Sequence, residues 1–288
     1  MSALAIGLLA ALCWGIHDLC VRWMSRQADI AACLVVVLFA GLMFQVPALA
    51  LPINSTSNSA TSSAISMMGV AFSAMAGVFF FVASYALYRA FAAGPVRIVA
   101  PIVAAYPIVT LPITSINGSP ISTVKWIAVL IIIVGVALVA SRSASEHGVF
   151  NRFKTIYWSI AAAISYALTF ALGQALSSTE PFAATLLITR SGAIVTVMIF
   201  MLLSGGLRWP PKSDWSMLIL MGFLDAAALG LVFAGGLLAN GALATVTASL
   251  FGVITILLAS IFLKERLVSR QWLGVIITFS AIGFLASS

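Results

Sequence analysis

The sequence predicts an all-α integral membrane protein, with ten transmembrane helices forming two inverted five-helix repeats. Three observations carry this. Of 288 residues, 62% are hydrophobic and 7% are charged, whereas a soluble domain carries roughly 25% charged residues. A surface so poor in charge has to be covered by lipid. Apolar runs recur along the whole chain, each close to the ~20 residues that cross a ~30 Å hydrocarbon core as a helix. Finally, the second half of the chain repeats the pattern of the first.

The spans follow in order. The first, 3–24, is too long for a cleaved signal peptide, has no basic residue before it, and carries His17 and Asp18 inside. Spans two and three cover 30–51 and 66–88, separated by the polar run 54–63. Span four, 96–115, contains Pro101, Pro107 and Pro112. Each lacks a backbone donor and crowds the preceding turn, so this helix should bend. Span five is 124–141, followed by the connection 143–152. Span six is 156–177, span seven 182–203 with Arg190 inside, and span eight 215–236 with Asp225 near its middle. Span nine, 242–263, has Ala244, Ala248 and Gly252 at four-residue spacing, a small face suited to close helix contact. Span ten is 271–287. No connection is long enough to hold a soluble domain.

The repeat halves are 1–144 and 145–288. Trp126-Ile127-Ala128-Val129 is matched 146 positions later by Trp272-Leu273-Gly274-Val275. Gly7-Leu8-Leu9-Ala10-Ala11 is matched 152 positions later by Ser159-Ile160-Ala161-Ala162-Ala163, which sets Trp14 opposite Tyr166. An odd number of spans per copy forces the copies into opposite senses. That is the arrangement of secondary transporters with a midplane site between halves. Orientation follows from the basic residues. The odd-numbered connections and adjoining helix ends hold Arg22, Arg26, Arg89, Arg97, Arg142, Arg152, Lys154, Arg208, Lys212, Lys264, Arg266 and Arg270; the other side holds Lys125. The positive-inside rule then puts the odd connections in the cytoplasm of an inner (plasma) membrane protein, with both termini outside. These scattered cations do not form a nucleic-acid surface. Cys13, Cys20 and Cys33 include no CxxC pair, so neither a disulfide framework nor a metal site is expected.

Charged side chains inside a span cost about 2.5–3.5 kcal/mol on insertion scales and mark cavities or partners. Asp225 has no Lys or Arg within a turn, so its partner comes from another helix, water or substrate. It is a candidate for binding a proton or a cationic substrate. Arg190 keeps its proton and needs an anion: Asp225, another acceptor, or a substrate carboxylate or phosphate. Asp18 and Arg22 are four apart and can pair on one helix face. His17 points about 100° away from Asp18 (one residue on a helix) and is left unexplained by that pair. Trp14 is three residues before His17 and four before Asp18, and Trp14, His17 and Asp18 together suit a site that binds a polar metabolite, or a station on a proton path.

Several motifs carry a resemblance. They are Trp14-Gly15, Ala86-Leu87-Tyr88 through Ala100-Pro101, Tyr106-Pro107, Ile188-Thr189-Arg190-Ser191 and Lys264-Glu265-Arg266. In order and spacing the chain resembles the drug/metabolite transporter superfamily, specifically the EamA-type ten-helix transporters. It departs at Phe39, where the family has Arg, at Asn117-Gly118-Ser119, where it has Glu-Arg, and at Val253, which stands opposite Pro107. The resemblance implies a substrate cavity between halves, lined by helices 1, 3, 4, 6, 8 and 9, and no cofactor. Trp14, Tyr85, Tyr106, Tyr166 and Phe251 fall on those helices. Such rings can cage an amine by cation–π attraction or simply pack. Relatives move amino acids, amines such as choline, or sugar nucleotides.

The expectation is a secondary active transporter, an exporter, of a small polar metabolite such as an amino acid or amine, coupled to protons or to a counter-substrate. No GxxxxGK[ST] loop points to nucleotide drive, and no HExxH or GxSxG points to an enzyme. Asp225 and the aromatics favour an amine or amino acid; Arg190 and His17 favour an organic anion or nucleotide. A membrane sensor on the same fold is the remaining alternative.

Overall fold

The structure, a computed structural model, describes residues 2–25, 29–47, 64–116, 123–139, 151–204, 209–238, 241–265 and 268–287. The connection expected at 54–63 and most of that at 143–152 lie outside these residues. The described residues form α-helices and short 3-10 turns, with no strand among them. The helices are α1 (Ala3–Met24), α2 (Ile30–Gln45), α3 (Met67–Ala93), α4 (Val96–Ala104), α5 (Pro107–Ile116) and α6 (Thr123–Val139). They continue with α7 (Arg152–Ser177), α8 (Phe182–Ser204), α9 (Trp215–Gly235), α10 (Gly241–Ala248), α11 (Phe251–Phe262) and α12 (Ser269–Ser287). Seven segments are long and apolar enough to cross a membrane, two of them formed by α4 with α5 and by α10 with α11.

The helix starts are written locally. Ser2, Asp29, Ser66 and Asn151 each accept a bond from the backbone N–H three residues on, satisfying a donor the first turn leaves orphaned.

Two predicted spans are interrupted. Between α4 and α5 the Ala105 and Tyr106 amides turn back to the carbonyls three residues earlier. Pro107 explains the break, because it has no N–H to offer the Val103 carbonyl and its ring crowds that turn. Tyr106 N–H takes that carbonyl instead, at 3.1 Å. The second break, between α10 and α11 at Ser249-Leu250, comes where no proline stands. There Ser249 bonds the Val246 carbonyl through both its amide and its hydroxyl, a local competitor of the α-helical ladder. Val253 opposite Pro107 therefore does not leave this helix continuous.

The main packing joins early helices to late ones. The α3 helix lies against α7 and α8, α1 and α2 lie against α9, α4 and α5 against α7, α1 against α10 and α11, and α6 against α12. The buried core is thus made between the two halves of the chain rather than inside either. Gly77 of α3 sits against the α8 backbone at Thr189, Gly192 and Ala193, while Gly222 of α9 sits against the α2 backbone at Val37 and Gly41. Small residues let helix backbones approach this closely where lipid offers no hydrophobic drive. The outer faces are apolar, with Leu130, Val134, Leu202 and Ile261 all exposed. That is the exterior a bilayer solvates.

Candidate functional site

Helix α1 brings Trp14 and Asp18 to one face, since residues four apart are neighbours on a helix. With Leu87 from α3, Tyr106 from the first helix break, Tyr166 and Phe170 from α7, and Phe251 at the start of α11, they line a narrow cavity of about 10 Å³, room for about one water. Five rings wall it. Trp14 stacks on Phe170 at 5.1 Å between centroids and lies 6.2 Å from Phe251 and 6.5 Å from Tyr166. Tyr106 meets Phe170 edge-on at 5.0 Å, and Tyr166 stacks on Phe170 at 5.5 Å. These spacings are ordinary aromatic contact geometry. Phe170 was not anticipated from the sequence, although its place one turn after Tyr166 was the signal that could have found it.

The polar ends of these rings are already engaged. Trp14 donates its indole N–H to Asp225 Oδ1 at 3.2 Å, and Tyr106 donates its hydroxyl to the Thr245 carbonyl at 2.5 Å. Tyr166 and Ser84 share a hydroxyl contact at 3.5 Å. What faces the cavity is therefore mainly ring surface.

Asp225 and Arg190 form a buried ion pair, Nη1 to Oδ2 at 2.5 Å. Arg190 is fully buried, its guanidinium 5.0 Å over the Phe80 ring. Its Nε donates to Gln45 Oε1 at 3.3 Å, and Gln45 in turn donates to the Ala226 carbonyl at 3.1 Å. Gln45 was also missed; a lone amide near the end of an apolar span was its signal. With both carboxylate oxygens bonded to protein groups, Asp225 does not line the cavity.

Three expectations are corrected. Asp18 does not pair with Arg22: its Oδ1 meets His17 Nδ1 at 3.2 Å, while Arg22 bonds Glu265 at 3.2 Å and the Phe91 carbonyl. Arg22 stands at the end of α1, where the last α3 carbonyls and Glu265 converge, and its long side chain reaches them. His17 is bound to Asp18 after all, because two side chains one position apart can bend toward each other across the 100° between them. Its ring otherwise faces Tyr88, at 6.3 Å, and does not line the cavity. Tyr85 is also elsewhere: it packs with Phe81, Trp158 and Phe200, with Arg89 5.9 Å over its ring. Two residues further along α3 is more than half a turn, so Leu87 faces the cavity instead.

The sequence model of the EamA-like transporter family matches residues 1–141 and 153–287, nearly the whole chain. The chain belongs to the EamA-like transporter family. It is a multi-pass membrane protein of the drug/metabolite transporter type, a family of transporters rather than of enzymes. No curated protein matches the sequence. Among solved structures, a crystal structure of a protein 14% identical in sequence superposes with a TM-score of 0.73, over 98% of this EamA chain and 97% of that one. At that identity the likeness speaks for the fold alone.

Proposed function

We propose that this EamA protein is a secondary transporter of a small polar metabolite, an amino acid or an amine. It works by alternating access between two inverted five-helix halves in the inner membrane, with the basic odd-numbered connections in the cytoplasm. The observation that carries the reading is the cavity itself. Its walls come from both halves, and Tyr106 and Phe251 stand beside the two helix breaks, where transporters of inverted-repeat design place their sites. The family match in each half and the reciprocal packing of α3 on α7 and α8, α9 on α1 and α2, support the repeat.

Alternating access needs ties that hold one end shut. The Arg22–Glu265 pair, with the Arg97 amide 3.5 Å from the same carboxylate, binds the end of α1 to the start of α4 and the segment after α11. The Ser66–Glu180 contacts bind the start of α3 to the α7–α8 turn. Opening one tie while the other holds would expose the cavity to one side. With Asp225 engaged by Arg190, the His17–Asp18 pair is the better coupling station.

The test is flux in liposomes without ATP, using labelled amines, amino acids and organic anions. Wild-type protein should move at least one class, and Trp14→Ala should cut that flux tenfold or more. Flux of no class, or flux indifferent to Trp14→Ala, would sink the reading. An imposed pH gradient then separates mechanisms. Accumulation driven by the gradient is expected for proton coupling, and uptake that ignores it means exchange or facilitated diffusion.

A further inference from the structure

We infer that the protein holds the headgroup of an anionic phospholipid at the membrane boundary, on Arg89, Lys154, Tyr85 and Trp158, where α3 runs between the start of α7 and the end of α8.

Helix length sets the depth. The α3 helix has 27 residues and is about 40 Å long at ~1.5 Å per residue, against a hydrocarbon core of ~30 Å. Its last turn therefore emerges into the headgroup layer, and Arg89 stands one turn before its end at Ala93. Gly94 packs on Thr155, so the start of α7 lies at the same level. The α8 helix runs in the same direction as α3, with Gly69 beside Glu180 and Gly77 against Thr189. It brings Phe200 to 4.9 Å from the Tyr85 ring.

Arg89 is a cation held in place without an anion. Its guanidinium carbon lies 5.6 Å from the Trp158 ring and 5.9 Å from the Tyr85 ring. That attraction fixes the charge but accepts none of its N–H bonds in the ring plane, and the charge cannot be shed. Lys154 is exposed, one turn before Trp158 on α7. Neither cation has a side-chain hydrogen bond or an ion pair among the described residues, where the ion-paired carboxylates are those of Asp18, Asp225 and Glu265. Tyr85 and Trp158 are held there by ring and cation–π contacts alone, so the hydroxyl and the indole N–H are donors still to be used. Two cations and two neutral donors with no acceptor fit a phosphate, which a guanidinium can grip through paired N–H bonds.

The occupant is a lipid because the α3 face continues inward from Arg89 through Tyr85 to Val82 and Val78, residues three and four apart. The two valines are 40% and 43% exposed and give an acyl chain an apolar track below the phosphate. The lipid is anionic because a zwitterionic headgroup would bring a cation of its own up to Arg89 and Lys154. Bound there, it joins α3 of the first half to α7 of the second.

The test offers purified full-length protein in neutral detergent an equimolar mixture of phosphatidylglycerol and phosphatidylcholine with identical chains, and counts the retained lipids by native mass spectrometry. The wild type should retain phosphatidylglycerol in roughly tenfold excess, the worth of one hydrogen bond to a charged group. Inorganic phosphate should not displace it. Arg89→Gln should abolish the excess, whereas Arg270→Gln, which removes an exposed cation on α12, should keep it. Equal retention of both lipids by the wild type overturns the proposal, as does an Arg89→Gln protein that keeps the excess. Equal loss in Arg270→Gln would mean general surface charge, and displacement by inorganic phosphate would mean a free-anion site; either overturns it too. The wild-type ratio and the phosphate competition need no variant, so they decide the matter even if Arg89→Gln fails to fold.

Discussion

Asp225→Leu should destabilise the protein by about 3–5 kcal/mol, and adding Arg190→Leu should return most of that loss. The single change strands a guanidinium that is fully buried and cannot shed its proton. It also removes the acceptor of the Trp14 N–H. The double change replaces a buried pair with apolar side chains in a region already apolar, which for such pairs is often neutral. Arg190→Leu alone should be nearly as harmful as Asp225→Leu, since it leaves the carboxylate uncompensated. Thermal unfolding in detergent micelles, read across all four proteins, gives the coupling. A double variant as unstable as the worse single one would mean that the two side chains do not compensate each other. From the sequence, an amine substrate would require Asp225→Asn to abolish binding and Arg190→Gln merely to weaken folding. The Arg190–Asp225 pair moves both effects onto folding.

Gly77→Ala and Gly222→Ala should each cost about 1–3 kcal/mol, the range for overpacking a close-packed interior. A Cβ at Gly77 would meet the Thr189 carbonyl oxygen and the Ala193 amide; one at Gly222 would lie 2.6 Å from the Val37 carbonyl oxygen and 2.9 Å from the Gly41 amide. These are backbone atoms of the opposing helix and cannot swing aside, so α3 must withdraw from α8, or α9 from α2. Gly230→Ala is the control. It also lies inside α9, but its nearest neighbour would be a Leu186 methyl at 3.7 Å. It should be neutral, or gain the roughly 0.5–1 kcal/mol that alanine brings over glycine within a helix. Equal effects at all three positions would show that helix propensity rather than backbone approach governs them.

Much of the fold was legible because the bilayer imposes a simple rule on sequence. Each segment must be apolar for about one membrane thickness and must satisfy its own backbone. Hence α1, α3, α7, α8 and α9 fall close to their predicted bounds, and capping residues such as Ser66 and Asn151 mark their starts. The break before Pro107 was also readable, since proline acts on its own turn. The break at Ser249 was not, because a serine bonding back along its helix is common and need not interrupt it.

The sequence by itself determined that the chain is a helical membrane protein of the EamA type and that its ionisable residues in spans are few; of its nine candidate site residues, Trp14, Asp18, Tyr106, Tyr166 and Phe251 line the cavity, while His17, Tyr85, Arg190 and Asp225 do not. Hydropathy, proline and short motifs act over one helix or one turn, so these can be read along the chain. Only the tertiary structure decided which charge meets which. Asp225 found Arg190, 35 positions away, Arg22 found Glu265, 243 positions away, and Asp18 was left with a bare oxygen in an aromatic cavity. Such pairings depend on how helices are rotated against neighbours from the other half of the chain. That rotation is set by close contacts such as those at Gly77 and Gly222, which no single segment encodes.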